Sequence, residues 1–201
     1  MNLLRLPSLV FGLMSLFVLS NCATQNDPLP TASKVDLNGF MGTWYVIGYT
    51  PLGVDDDAYN GIEHYYLAEN GDIETTYQFR QGAFDGEIKT LTPVGRVYDA
   101  ESNAEWRMQF VWPFEAEYLI MDLSPDGQRT IIAHPNRKYA WIMARTPQIS
   151  SRHYDDMLAK LEAEGFDLSV IQKQPQDWSG ESDRLEMIRE AGKTERLEVK
   201  D

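Results

Sequence analysis

Glu105-Trp106-Arg107-Met108-Gln109-Phe110-Val111-Trp112 carries a large apolar side chain at every second position from Trp106 to Trp112. Successive side chains of an extended strand point to opposite faces, so Trp106, Met108, Phe110 and Trp112 share one face. Helical geometry would scatter them around the cylinder instead. The alternation therefore predicts a strand with one aromatic face and one face that Arg107 and Gln109 keep wet. Ile73-Glu74-Thr75-Thr76-Tyr77-Gln78-Phe79-Arg80 repeats the pattern more weakly.

Turn chemistry separates such runs, with Asn70-Gly71 before one and Pro125-Asp126-Gly127 before another. Strands are expected near residues 43–50, 61–69, 72–80, 87–98, 104–112, 116–123, 128–134 and 138–145. Short strands in meander order, uninterrupted by a long helical period, predict an all-β, eight-stranded antiparallel up-and-down barrel. Closure removes exposed edges, and about eight strands leave an interior that can hold one small ligand. Beyond Thr146-Pro147 the period changes. Ser150 or Ser151 caps a helix running to about Glu164, with Tyr154, Met157, Leu158 and Leu161 on one face and Gly165 ending it. That helix is expected to pack outside the barrel, followed by a short ninth strand from Phe166 to Gln172. The charged segment 179–201 reads as a loose tail with a turn of helix near Leu185 to Arg189.

The chain has 201 residues, 43% hydrophobic and 24% charged, which suits one globular domain. Its net charge of -13 becomes more negative if Arg5 is removed with a leader. Such a charge repels phosphate backbones, and no basic run offsets it, so nucleic acid is not an expected partner.

Residues 1–21 have the profile of a secretion leader: Arg5, an apolar stretch from Leu9 to Leu19, then small or polar residues. The apolar stretch is too short for a permanent span of the ~30 Å hydrocarbon core. Cys22 is the only cysteine, so it is free, paired between molecules, or modified. Leu19-Ser20-Asn21-Cys22 resembles the lipobox at which bacterial lipoproteins are cleaved and acylated on cysteine. The other reading is an ordinary leader cut nearby, releasing a soluble protein. Ala23 in place of Asp resembles lipoproteins sorted to the outer membrane, and the segment 22–34, with Pro28 and Pro30, reads as an acylated terminus and spacer.

Gly42-Thr43-Trp44-Tyr45 resembles the Gly-x-Trp motif that opens the first strand of the lipocalin family. Glu117-Tyr118-Leu119-Ile120-Met121-Asp122 resembles that family's second region. Ala140-Trp141-Ile142-Met143-Ala144-Arg145-Thr146-Pro147 resembles its third. The likeness spans roughly Leu37 to Trp178, within a domain placed at 35–178, and is nearest to bacterial outer-membrane lipocalins. It implies a barrel whose closed end is held by Gly42, Trp44 and Arg145, the guanidinium lying over the indole. It also implies an open end that admits a fatty acid or phospholipid-type ligand, a lipid anchor on the periplasmic side of the outer membrane, and, in some relatives, a homodimer.

The face Trp106, Met108, Phe110 and Trp112 is either filled core or cavity wall, and the resemblance favours the wall; Tyr77, Phe79 and Tyr118 are further candidates. Pro113-Phe114 breaks the strand and falls in a terminal loop or a plain turn. His64, His134 and His153 lack ligand spacing, and no Gly-x-Ser-x-Gly elbow, phosphate loop or Cys-x-x-Cys is present. No cofactor, metal or catalytic residue is expected. Asp55-Asp56-Asp57 reads as a solvated loop rather than a cation site. Two alternatives to binding stay open: a lipocalin-fold enzyme acting on a lipophilic substrate, with Asp122 as a possible acid or base, and a filled barrel with a structural role.

Overall fold

The computed structural model describes residues 27–198, so the leader, the lipobox and Cys22 lie outside the described residues. In chain order the strands are β1 (Gly42–Tyr49), β2 (Ala58–Leu67), β3 (Ile73–Gln81), β4 (Ile88–Leu91), β5 (Val94–Val97), β6 (Glu105–Val111), β7 (Phe114–Leu123), β8 (Arg129–Ala133), β9 (Ala140–Ala144) and β10 (Gln172–Lys173). All pairings are antiparallel: the strands follow one another in chain order around the sheet, β10 adds to the end of β1, and β1 also pairs with β9, which closes the barrel. Segments β4 and β5 both pair with β3 and form one barrel strand interrupted at Thr92-Pro93. Proline has no N–H for the ladder, but its carbonyl still accepts from the Thr75 amide at 3.0 Å. Counted this way, eight strands make the barrel.

Strand alternation divides the apolar side chains into two layers. Trp44, Val46, Tyr65, Tyr77, Phe79 and Trp106 belong to the inner cluster. Tyr45, Ile47, Ile62, Leu119, Ile131 and Ile142 belong to an outer one. The outer layer exists because α2 (Ser151–Ala163) covers it, burying Met157 and Leu161. The Ser150 hydroxyl accepts from the His153 amide, and Gly165 leaves the helix at φ +84°, where a side chain would be strained. An earlier short helix, α1 (Leu37–Phe40), plugs the barrel's closed end with Phe40.

Two expectations about the C-terminal part need correction. The ninth strand is only Gln172–Lys173, because Asp167 caps a 3-10 turn at Leu168–Val170 and Phe166 is buried with the outer layer. The segment from Gln172 onward fills the gap where β1 and β2 diverge. There the Ile47 carbonyl accepts from the Gln174 amide, and the Pro175 carbonyl from the Asn60 amide.

The expected loose tail is instead α3 (Ser182–Glu198), joined to the barrel through Glu181, Arg184 and Ile188, all buried. Glu181 pairs with Arg80 at 2.5 Å and with Arg184 at 3.1 Å, while the Arg184 guanidinium lies 4.4 Å from the Trp178 ring centre. Glu181, Arg80 and Arg184 thus neutralise one another against the barrel, while Asp183, Glu186, Arg189 and Glu190 of α3 face water.

Candidate functional site

The two ends of the barrel are built differently. At the closed end the Arg145 guanidinium lies 3.7 Å from the Trp44 ring centre. It donates to the carbonyls of Thr43, Gly39 and Phe40 at 2.8 to 2.9 Å. The Trp44 indole N–H also donates to the Phe40 carbonyl. Burial pushes the Arg145 guanidinium down to about 10, which still leaves it charged at neutral pH. Gly42, at φ +89°, starts β1 at the same end. Above this lies an aromatic layer in which Phe40, Tyr65 and Trp106 meet edge to face.

The next layer contains the cleft. Trp106 stacks flat beneath Tyr118, with ring centres 5.5 Å apart. Over that pair opens a cleft lined by Leu52, Glu63, Thr75, Tyr77, Pro93, Met108, Phe110, Tyr118 and Trp141. Its free volume is about 20 Å³, little more than the ~10–15 Å³ one water needs. The cup expected from the strand pattern is thus mostly occupied by its own side chains. Two larger grooves, of about 450 and 580 Å³, lie outside the barrel against the 147–149 segment and α2.

Four of the seven expected wall residues line the cleft: Tyr77, Met108, Phe110 and Tyr118. Trp106 forms the layer below it, and Phe79 packs against Tyr77 with ring centres 5.3 Å apart. Trp112 is not on the wall. The pairing of β6 with β7 shifts register between Met108 and Val111, and Trp112-Pro113 forms the hairpin tip with a cis bond. Trp112 is 80% exposed there, and Phe114 is 75% exposed beside it.

Two carboxylates require correction. Asp55, expected in a solvated loop, is fully buried and accepts from the Leu52 amide at 2.7 Å and the Tyr77 hydroxyl at 3.2 Å. Asp122, considered as an acid or base, is paired at 2.7 Å with Lys160 of α2 on the barrel's outer side.

Sequence reasoning missed the polar heart of the cleft. The buried Glu63 carboxylate accepts from the Tyr65 hydroxyl, which lies 2.5 Å from the Tyr118 hydroxyl. Burial, assisted by the charge of Asp55, raises Glu63 to about 7 against the lowering effect of the Tyr65 hydrogen bond. Burial likewise raises Asp55, and it holds Tyr65 and Tyr118 well above the usual phenol range. Thr75 is 4% exposed and its hydroxyl has no hydrogen-bond partner. A glutamate in an alternating strand normally marks the wet face, so period alone gave no signal for Glu63.

A closed antiparallel barrel with a plugged base, an apolar-walled cleft at the other end and a helix outside is the architecture of a small-molecule-binding barrel protein. The chain belongs to the Lipocalin-like domain family, which matches residues 35–176. It is 27% identical over 170 residues to outer membrane lipoprotein Blc of Escherichia coli strain K12, covering 83% of this chain and 94% of that one. It is 26% identical over 167 residues to temperature-induced lipocalin-1 of Arabidopsis thaliana, covering 76% and 86% of the two chains. Among solved structures, insecticyanin from the tobacco hornworm Manduca sexta superposes with a TM-score of 0.59 at 15% identity, covering 76% of this chain and 86% of that one.

Proposed function

We propose that this lipocalin binds, stores or transports an apolar ligand such as a fatty acid or lysophospholipid in the cell envelope, without chemical turnover. The observation that carries this is the cleft itself, whose walls of Leu52, Tyr77, Pro93, Met108, Phe110 and Trp141 are apolar or aromatic and lie at the open end. Because its free volume is small, admission of a chain requires the rim to move. Met108 has the rotamer freedom to do so, and Phe110 is half exposed. Each methylene buried contributes about 0.8 kcal/mol, enough over a chain to offset rearranging a few side chains.

The same proposal places the protein on the periplasmic side of the outer membrane, held by acyl groups on Cys22. Asp27 is the first described residue, and its carbonyl accepts from Arg137 in the loop joining β8 to β9, which is at the open end. Five residues reach at most about 17 Å, so an acylated Cys22 keeps the mouth close to the bilayer. The exposed Trp112 and Phe114 project from that end, and the outer-membrane lipoprotein relative is in keeping with the location.

Incubating delipidated protein with a mixed lipid extract, followed by native mass spectrometry, tests the binding role. One unaltered fatty acid or lysophospholipid per chain is expected. Recovery of chemically changed lipid would establish an enzyme instead, and an empty barrel would leave only a structural role. Cys22→Ser is expected to move most of the protein into the soluble exported fraction, and membrane retention as complete as that of the parent would overturn the anchor.

A further inference from the structure

The cleft is apolar on its walls but acidic at its centre. Glu63 and Asp55 are both buried within the barrel, and among the described residues no cationic side chain pairs with either. Tyr65 gives its proton to Glu63, so in the hydroxyl pair the proton between the rings comes from Tyr118. Tyr118 therefore keeps only lone pairs for anything in the cleft, an ionised Glu63 is an acceptor throughout, and the Thr75 hydroxyl has no partner at all. Three oxygens from β2, β3 and β7 thus face one cleft with unused acceptor capacity. The rings of Tyr77, Tyr118 and Trp141 surround them.

A free carboxylate brought to this point would meet a like charge and two hydroxyls, only one of which retains a proton to donate. An alkyl ammonium brings three N–H donors for three acceptors, a positive charge for Glu63, and a cation for aromatic faces. We propose that the cleft contains a subsite for a primary ammonium group, formed by Glu63, Thr75 and Tyr118, and that it favours long-chain amines over fatty acids of equal length. This rests on the proposed binding of an apolar chain in the barrel, and it specifies the polar group that reaches furthest inside. A fatty acid is left with its carboxylate at the mouth and its methyl end against Glu63.

The test uses the full chain in delipidated form and three probes with one alkyl chain: decylamine, decanol and decanoate. Titration calorimetry is run at pH 8 in high salt, which screens attraction of the amine to the acidic surface. Decylamine is expected to bind at one equivalent, in competition with decanol, and at least tenfold tighter than decanoate. Glu63→Gln is expected to remove that margin while decanol binding persists. Tyr118→Phe, which keeps the ring stacked on Trp106, is expected to weaken decylamine several-fold and decanol little, and it serves if the Glu63 variant does not fold. Decanoate binding as tightly as decylamine would overturn the subsite while leaving the apolar cleft intact. An amine margin unchanged in both variants would do the same. Failure of all three probes to bind would overturn the binding role together with the subsite.

Discussion

Met108 packs its sulfur against the bare backbone of Gly95, its partner across the β5–β6 ladder, so closely that a Cβ on Gly95 would lie 2.4 Å from Sδ. The missing side chain at residue 95 is therefore what lets Met108 lie back from the cleft it lines. Gly95→Ala displaces the thioether inward, where the free volume is about 20 Å³. The barrel is expected to fold with a loss of about 1–2 kcal/mol from overpacking, while ligand affinity falls at least tenfold. Calorimetry on the folded variant checks this, and unchanged affinity would show that Met108 does not limit the cleft.

Glu63 sets a pH dependence of stability whose sign follows from its raised value. Burial holds the folded group near 7 against an ordinary 4.5, so the folded state favours the protonated form. Its contribution is fully present below about pH 4.5 and lost as pH rises through 7. The loss amounts to about 3 kcal/mol above that window. Asp55 is raised by burial too and acts in the same direction. The groups facing Glu63 are Tyr65 on its own strand, Tyr77 on β3, Tyr118 on β7 and Asp55 in the preceding loop, none of them cationic. Glu63→Gln keeps an oxygen for the Tyr65 proton and removes the charge. Urea denaturation is expected to show the variant more stable than the parent at pH 8 and nearly equal to it at pH 4.5. Equal stability at both values would contradict the assigned burial of charge.

Arg145 acts on the fold rather than on the ligand. Its guanidinium covers Trp44 and serves three carbonyls at the closed end, far along the barrel from Phe110 and Leu52. A lysine ammonium lacks the planar fork that reaches these acceptors together. Arg145→Lys is expected to cost about 2–3 kcal/mol in denaturant unfolding and to leave ligand affinity within about twofold. A large fall in affinity without a fall in stability would place Arg145 in the binding machinery.

The barrel was legible because its signals are local. Alternation from Trp106 to Phe110 and the turn residues at Gly71 and Gly127 report on a few neighbours each, and a meander needs nothing more. The site was legible only in its aromatic half. Glu63 points inward because the β2–β3 pairing shifts register between Tyr59 and Ile62, next to Asn60 at φ +48°. No composition rule anticipates a buried acid. Trp112 lost its place on the wall through a second register shift, and Asp55 its place in solvent through the amide of Leu52 and the hydroxyl of Tyr77. In α3 the charges of Arg184 and of Glu181 just before it suggested solvation, whereas their partners Arg80 and Trp178 lie elsewhere in the chain.

The hairpin tip supplies the last expectation. Val111, Trp112 and Phe114 are 68%, 80% and 75% exposed, a concentration of apolar surface that a freely soluble protein seldom displays. Tryptophan is favoured at the headgroup level of a bilayer, where its ring is apolar and its N–H stays wet. An overall charge of -13 opposes approach to anionic lipid, so contact has to come from apolar insertion. In the unacylated Cys22→Ser protein, Trp112→Ser with Phe114→Ser is expected to reduce binding to zwitterionic phosphatidylcholine vesicles several-fold in sedimentation assays. The loss should be independent of salt, because no ion pair is involved. If the tip instead meets a second copy of the chain, the parent elutes as a dimer in size-exclusion chromatography and the double variant as a monomer. That result would assign the patch to self-association in place of the bilayer.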